Sequence, residues 1–302
     1  MDEFRDSTPD VSDTRALRAR LADEGYLFFR GLLPHDAAEA VRLRILQELA
    51  RHGWLRDGSQ ASDQLPGSLA RPEMDDSYWD GYTAMQSVEA FHELAHEPSL
   101  LSMVGALIDE DVLVHPRKIG RVSYPFGMAP TPPHQDFRYI QGTVDTFTAW
   151  TPLGDCPADL GGLRLLRGSQ NRGLLPVDVA AGAGGLGVAT REDDSDWASA
   201  EFFTGDVLLF HSLTVHGARA NHQDRLRLSV DYRYQAASEP VVRGTMHPHF
   251  HPNVPDWPEL TTEWKSSASI KGEAASFTPM LPPADDLDLP ASRFVRVEAV
   301  HE

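Results

Sequence analysis

Apolar positions first recur at helical spacing between Asp13 and Ala22, where Ala16, Leu17 and Leu21 share a face and Gly25 offers a stop. The twelve residues before them are polar and read as frayed. Tyr26 to Leu33 (YLFFRGLL) is aromatic and apolar, which predicts a buried strand ending at Pro34. Pro34 opens a longer helix running to about His52. Its stripe is Ala37, Ala40, Val41, Ile45, Leu46 and Leu49, and Gly53 closes it. Residues 57–82 are polar with scattered Gly, Ser and Pro and read as an irregular loop. Val88 to Ala95 and Ser99 to Ile108 read as two short helices divided by Pro98.

From about Val112 the period changes. Short β-rich runs occupy Val112 to Val114, Gly120 to Tyr124, Thr146 to Leu153, Leu163 to Leu166, Asp206 to Phe210 and Arg225 to Tyr234, with Gly, Pro and Asp turns between them. Short strands preceded by helices predict a mainly β fold, a sandwich or barrel of jelly-roll type with the helices packed outside. Gly182 to Gly187 (GAGGLG) lacks the strand-then-helix setting of a phosphate cradle and reads as a loop. The expected organisation is one domain over 1–302: a helical part at about 13–110, a β core at about 112–236 and a C-terminal extension at about 237–302.

Composition narrows the class of partner. The 302 residues carry 27 Lys+Arg against 45 Asp+Glu, a formal charge of −18. Phosphate repulsion then disfavours a nucleic-acid or anionic-membrane surface. The longest apolar run, Leu100 to Ile108, is about half a membrane span. No basic, apolar, small-residue signal follows Met1, and Cys156 is the one cysteine, so neither an internal disulfide nor a Cys-rich zinc site is open to the chain. These features predict a cytoplasmic protein.

The candidate chemistry lies in Pro132-Pro133-His134-Gln135-Asp136-Phe137. On an extended segment His134 and Asp136 point to one face and can reach one ion. A second histidine from elsewhere completes a two-His, one-carboxylate face with positions left open on iron(II) for oxygen and a co-substrate. Gly205 to Gly217 (GDVLLFHSLTVHG) supplies a turn, a hydrophobic strand and candidate histidines, His211 and His216. Arg225 and Arg227 follow about ten residues later, and a guanidinium fork suits the distal carboxylate of a dicarboxylate. Strand parity alone does not choose between the two arginines. Ser229 shares a face with Arg227 and can add a hydroxyl.

GYLFFRGLL, PPHQD, TAWTPLGD…GGLRLLRGS and GDVLLFHSLTVHGARANHQDRLRLS occur in that order, and together they make the chain resemble the phytanoyl-CoA dioxygenase family of iron(II)/2-oxoglutarate oxygenases, in its bacterial natural-product branch. The resemblance covers roughly residues 20–240. It implies a double-stranded β-helix of jelly-roll, cupin-like type. It also implies His134, Asp136 and His216 as iron ligands, with His211 a non-ligand, and Arg227 as the arginine on the far carboxylate of 2-oxoglutarate. Gln135 and Trp150 correspond to residues lining the co-substrate pocket, and Trp150 serves equally as core. Arg121, in Gly120-Arg121-Val122-Ser123-Tyr124-Pro125, matches an R-x-x-Y-P setting that faces substrate or co-substrate in antibiotic-pathway hydroxylases, with Lys118 a competing anion binder. The implied reaction consumes oxygen, decarboxylates 2-oxoglutarate to succinate and oxidises a small organic molecule. The carboxylate Asp136 favours hydroxylation over halogenation; desaturation, epoxidation and rearrangement use the same iron site.

Gly168-Ser169-Gln170 departs from the Gly-Ser-His of many members, which bears on substrate contacts. Arg233 is expected to hold the end of the sheet by ion pairing. His247, His249 and His251 alternate, but no carboxylate lies in register and two prolines predict a surface or pocket-rim loop. Residues 126–133 and 57–82 are expected as a lip and a lid over the site. Cys156 reads as a structural thiol. The rival readings are a cupin-like metalloprotein without 2-oxoglutarate and a non-catalytic binding protein; an intact ligand set argues against the second. Charge disfavours a coenzyme A thioester, and oligomeric state is left open.

Overall fold

The computed structural model describes residues 1–191, 195–281, 289 and 292–295. The N-terminal helices form where the apolar stripes predict them. Helix α1 (Thr14–Glu24) starts at Asp13, whose carboxylate accepts the Ala16 N–H, and stops at Gly25 in the left-handed region (φ 80°). A side chain at Gly25 would meet the Gln170 amide at 2.3 Å, so close approach as well as conformation demands glycine there. α2 (His35–Arg51) buries Ala38, Val41, Ile45, Leu46 and Leu49. The region read as a loop to residue 82 instead carries α3 (Trp79–Gln86). Its Gly81 lies flat against Trp54, which would sit 2.1 Å from an added Cβ. That glycine serves packing while weakening the helical signal. α4 (Glu89–Glu93) and α5 (Pro98–Ile108) complete the group.

Fourteen strands occur among the described residues. The order is β1 (Asp2–Glu3), β2 (Tyr26–Phe29), β3 (Val112–Val114), β4 (Ile119–Ser123), β5 (Phe147–Pro152), β6 (Leu163–Leu166), β7 (Val177–Val179), β8 (Leu186–Val188), β9 (Trp197–Ser199), β10 (Val207–His211), β11 (His216–Ala218), β12 (Arg227–Ala236), β13 (Val241–Val242) and β14 (Phe277–Thr278). A larger sheet runs β2-β10-β5-β12-β3, with β4 also on β12, and a smaller one runs β1-β9-β6-β11. The two open sheets make the jelly-roll core. Between them pack Tyr26, Phe28, Trp150, Leu165, Phe202, Leu208 and Phe210.

Strand β12 organises the molecule. All ten of its residues are buried. Leu228, Val230, Tyr232 and Tyr234 join the core formed with the helices, and Tyr232 and Tyr234 donate to the Phe91 and Ala95 carbonyls. The alternate face carries Arg227, Ser229, Asp231, Arg233 and Gln235. A row of polar side chains this deep needs partners, and that face is where the site forms.

The C-terminal extension folds back on the helices. Trp264 donates to the Ser87 carbonyl, and Glu89 accepts from the Lys265 and Ser266 N–H groups. The amine of Lys118 is buried there, donating to the Ser269 carbonyl at 2.8 Å. Lys118 therefore binds no anion at the site, contrary to its sequence reading. Standing three residues before Arg121, it points to the opposite face of the chain.

His92 and His115 are buried, and burial pushes both below their ordinary value of 6.5, His115 to about 4. The unfolded chain thus takes up protons on these rings at a pH where the folded chain does not. For His115, that stability is full above about pH 6.5 and falls as pH drops towards 4 by up to about 1.4 kcal/mol per pH unit, and His92 acts in the same direction. Urea midpoints measured from pH 8 to pH 4 should fall accordingly, and His115→Gln should flatten the slope.

Candidate metal centre

His134 and His216 are direct cross-strand neighbours: each backbone N–H donates to the other's carbonyl, at 2.8 and 3.0 Å. That register places their rings 4.2 Å apart. Asp136, two residues past His134, immediately precedes the short helix α6 (Phe137–Ile140), and its carboxylate makes no cap there, which leaves it free to face the histidines. Its Oδ1 lies 3.7 Å from His134 Nε2 and 3.9 Å from His216 Nε2. All three groups are buried, and neighbouring ligands of an octahedral ion with bonds of about 2.1 Å lie about 3 Å apart, so a small inward movement would close the set on a metal.

The surroundings prepare these groups for that role. His134 Nδ1 lies 2.8 Å from the Pro132 carbonyl and His216 Nδ1 2.9 Å from that of Thr214. Each Nδ1–H is thereby engaged, and each Nε2 presents its lone pair to the shared point. Burial, reinforced by His134, holds His216 down at about 3, so it is neutral and ready to bind. Burial alone would raise the Asp136 carboxyl, but Arg233 and the two imidazoles hold it well below the ordinary range. Arg233 reaches Asp136 at 3.1 Å and Thr148 Oγ1 donates to Oδ2 at 2.5 Å. Arg233 does form an ion pair, as its sequence setting predicts, but its partner is the carboxylate of the site itself.

A narrow cavity connects His134 and His216 to Trp150, Asp231 and Arg227. Arg227 spends one N–H on the Gly161 carbonyl at 2.8 Å, and its Nε, Trp150 Nε1 and Ser229 Oγ have no hydrogen-bond partner among the described residues. Burial lowers the affinity of Arg227 for its proton. The unpaired buried donors of Arg227 and Trp150 on this cavity, with Ser229 two residues from Arg227 on the same face of β12, fit a dicarboxylate. Phe210, its ring 4.2 Å from that of His216, walls the cavity.

The other sequence candidates fall in different places. Gln135, flanked by His134 and Asp136, turns to the opposite face, donating to the Gly173 and Leu213 carbonyls and accepting from the Leu175 N–H. It clamps loops and does not line this cavity. Arg121 reaches the cavity but is engaged, with Nε 2.8 Å from Asp231 and Nη1 3.8 Å from Glu73. Gln170 lies under α1, donating to the Ala22 carbonyl, so its departure from the family pattern is remote from the cavity. His211 bonds Asp145 at 3.2 Å and stays outside the metal group. Cys156 is buried in the core between the sheets.

Thr148 and Glu73 have no place in the sequence reading. Thr148 was detectable by its even spacing from Trp150 on β5; Glu73, in irregular chain, carries no such signal.

Outward from the metal group opens a cavity of about 920 Å³. The expected lip supplies residues 127–131, just after Pro125, the expected lid supplies residues 72–74 and Tyr78, and the glycine-rich tip between β7 and β8 supplies residues 181–185. Phe250 also lines this cavity, and His249 lines the recess beside Asp136 and Arg233.

A buried face of two imidazoles and one carboxylate, with coordination positions left open, defines the class of non-haem iron oxygenases. The chain belongs to the phytanoyl-CoA dioxygenase (PhyH) family, whose pattern matches residues 21–229. It is similar to the 1-deoxypentalenic acid 11-beta-hydroxylase of Streptomyces arenae, with 28% identity over 272 residues covering 85% of this chain and 90% of that protein. It is also similar to the peroxisomal phytanoyl-CoA dioxygenase of Mus musculus, 22% identical and covering 70% and 65% of the two chains. Among solved structures, the epimerase SnoN in complex with Fe3+, alpha ketoglutarate and nogalamycin RO shares the fold, with TM-score 0.54, 23% identity and coverage of 76% and 85%. The apoform of EctD from S. alaskensis shares it with TM-score 0.55, 16% identity and coverage of 93% and 92%.

Proposed function

We propose that this chain, acting as one dioxygenase domain, hydroxylates an unactivated carbon of a small organic molecule, a natural-product intermediate, with conversion of 2-oxoglutarate and oxygen to succinate and carbon dioxide. His134, Asp136 and His216 hold iron(II), and Arg227 with Ser229 and Trp150 holds the co-substrate. The observation that carries this reading is one cavity lined both by His134 and His216 of the metal group and by Arg227, whose Nε is unpaired. Bound iron supplies oxygen activation coupled to decarboxylation. The protein's own residues hold the ligands' tautomers, pair the distal carboxylate and keep water out behind Phe210 and Trp150. The hydroxylase relatives support the reaction type.

The substrate fits the outer cavity, whose walls include Met74, Tyr78, Val122, Tyr124, Met128 and Phe250. A largely apolar molecule suits it. Arg121 meets that space already paired with Asp231 and Glu73, so a substrate carboxylate would have to displace Glu73. We assign Arg121 to positioning these two acids, and an uncharged substrate to the cavity. No helix of the described residues is long and apolar enough to cross a membrane; with one buried cysteine and a charge of −18, the chain fits the cytoplasm and a partner that is neither nucleic acid nor membrane.

Anaerobic titration of iron(II) and 2-oxoglutarate into metal-free protein tests the reading. A visible charge-transfer band should appear only with both present and be absent in His216→Ala. Iron binding without that band would move the assignment to a cupin-like metalloprotein that does not use 2-oxoglutarate.

A further inference from the structure

Outside the iron group, the described residues contain a second cluster of metal-ligating side chains: His247, His251 and Asp256, whose ligand atoms all lie within 4.8 Å of one another. The sequence gives no carboxylate in register with these histidines, because Asp256 arrives from beyond the turn. Phe250 adopts φ 65°, a left-handed conformation rare for an aromatic residue. The chain doubles back there, and the rings of His247 and His251 stack 4.8 Å apart at 13°. Phe250 packs against Tyr78, Trp79 and Tyr82, and His249 bonds the Tyr82 hydroxyl at 2.6 Å. The strained turn thus sends one set of side chains to the cavity and the other to the surface.

The surface set has the donors a divalent ion needs. His247 Nδ1 lies 3.2 Å from Asp256 Oδ1, the separation of two ligands on one tetrahedral ion with bonds of about 2.0 Å. His251 Nδ1 faces the Val254 carbonyl at 3.4 Å, which leaves Nε2 as its ligand atom, the same orientation His134 and His216 use. Asp256 Oδ1 also accepts the Trp257 N–H, fixing the carboxylate at the start of α7 (Trp257–Leu260). His251 is exposed and His247 and Asp256 are half-buried, so an ion can enter from solvent and keep water as its fourth ligand.

We propose that His247, His251 and Asp256 form a second divalent-metal site, of zinc or nickel type, on the outer side of the turn that presents His249 and Phe250 to the cavity. Two imidazoles and one carboxylate suit these borderline ions better than magnesium or calcium. Metal there ties residues 247, 251 and 256 together and fixes the cavity wall from behind.

Zinc titration of the tag-free, metal-stripped full chain tests this, read by calorimetry and by metal analysis after dialysis. Wild type should hold two equivalents, with the second at about micromolar strength. His251→Ala and His134→Ala should each hold one, and the double variant none. Asp256→Asn keeps the helix cap and should weaken the second equivalent by about tenfold or more. A His134→Ala variant that holds no equivalent, or a second equivalent that survives both His251→Ala and Asp256→Asn, would overturn the proposal. Because His134→Ala removes only the inner ion, failure of the iron reading and failure of this one give different stoichiometries.

Discussion

Asp136→Ala is expected to lose iron binding and to destabilise the metal-free protein by about 3–5 kcal/mol, because it strands the buried guanidinium of Arg233 without its partner. His216→Ala should lose iron with a smaller cost, since its neutral ring leaves no charge behind. The decisive variant is the double Asp136→Ala, Arg233→Met. Removing both charges should recover most of the stability, while iron remains unbound and turnover absent. Urea midpoints and metal content of wild type, Asp136→Ala, Arg233→Met and the double variant complete the cycle. Equal destabilisation in single and double variants would show that Arg233 is satisfied by something other than Asp136.

Arg227→Met is expected to raise the half-saturating concentration of 2-oxoglutarate by about a hundredfold, the equivalent of two charge-assisted hydrogen bonds. Arg227→Lys should recover only part of this, because a point charge cannot reproduce the fork. In the metal-free protein the sign reverses. Arg227 is buried, one donor serves Gly161, and its Nε is unpaired, so methionine should leave the fold as stable as wild type or more so. Adding 2-oxoglutarate should raise the melting temperature of wild type and leave Arg227→Met unmoved. A co-substrate response retained by the variant would place the distal carboxylate elsewhere.

Much of this was legible in the chain because period speaks plainly where one face is buried. The stripe of α2 and the runs that became β3, β4, β5, β6, β10 and β12 all declare themselves. The spacing of His134 and Asp136 likewise puts two ligands on one face. The same rule, applied to the residues between, also separates Gln135 from its neighbours and Lys118 from Arg121, so both could have been set aside. What stayed hidden was tertiary. Helix α3 spends its glycine on Trp54, β11 is three residues long, and Glu73 reaches Arg121 from a segment without period. Asp256 joins His247 only because Phe250 turns the chain.

One strand carries both Arg227 and, six residues on, the Arg233 that anchors Asp136. Their Cα atoms are separated by about 20 Å of extended backbone, with partners along both edges. On the proposed assignment of Arg227 to the distal carboxylate, the two ends of the co-substrate would be gauged against a single rigid ruler. A keto-diacid one methylene longer than 2-oxoglutarate shifts its far carboxylate by about a bond length, which a paired strand does not stretch to absorb. The chain is thus built to measure chain length, and 2-oxoadipate should be a poor substitute even where charge and keto-acid chemistry are identical.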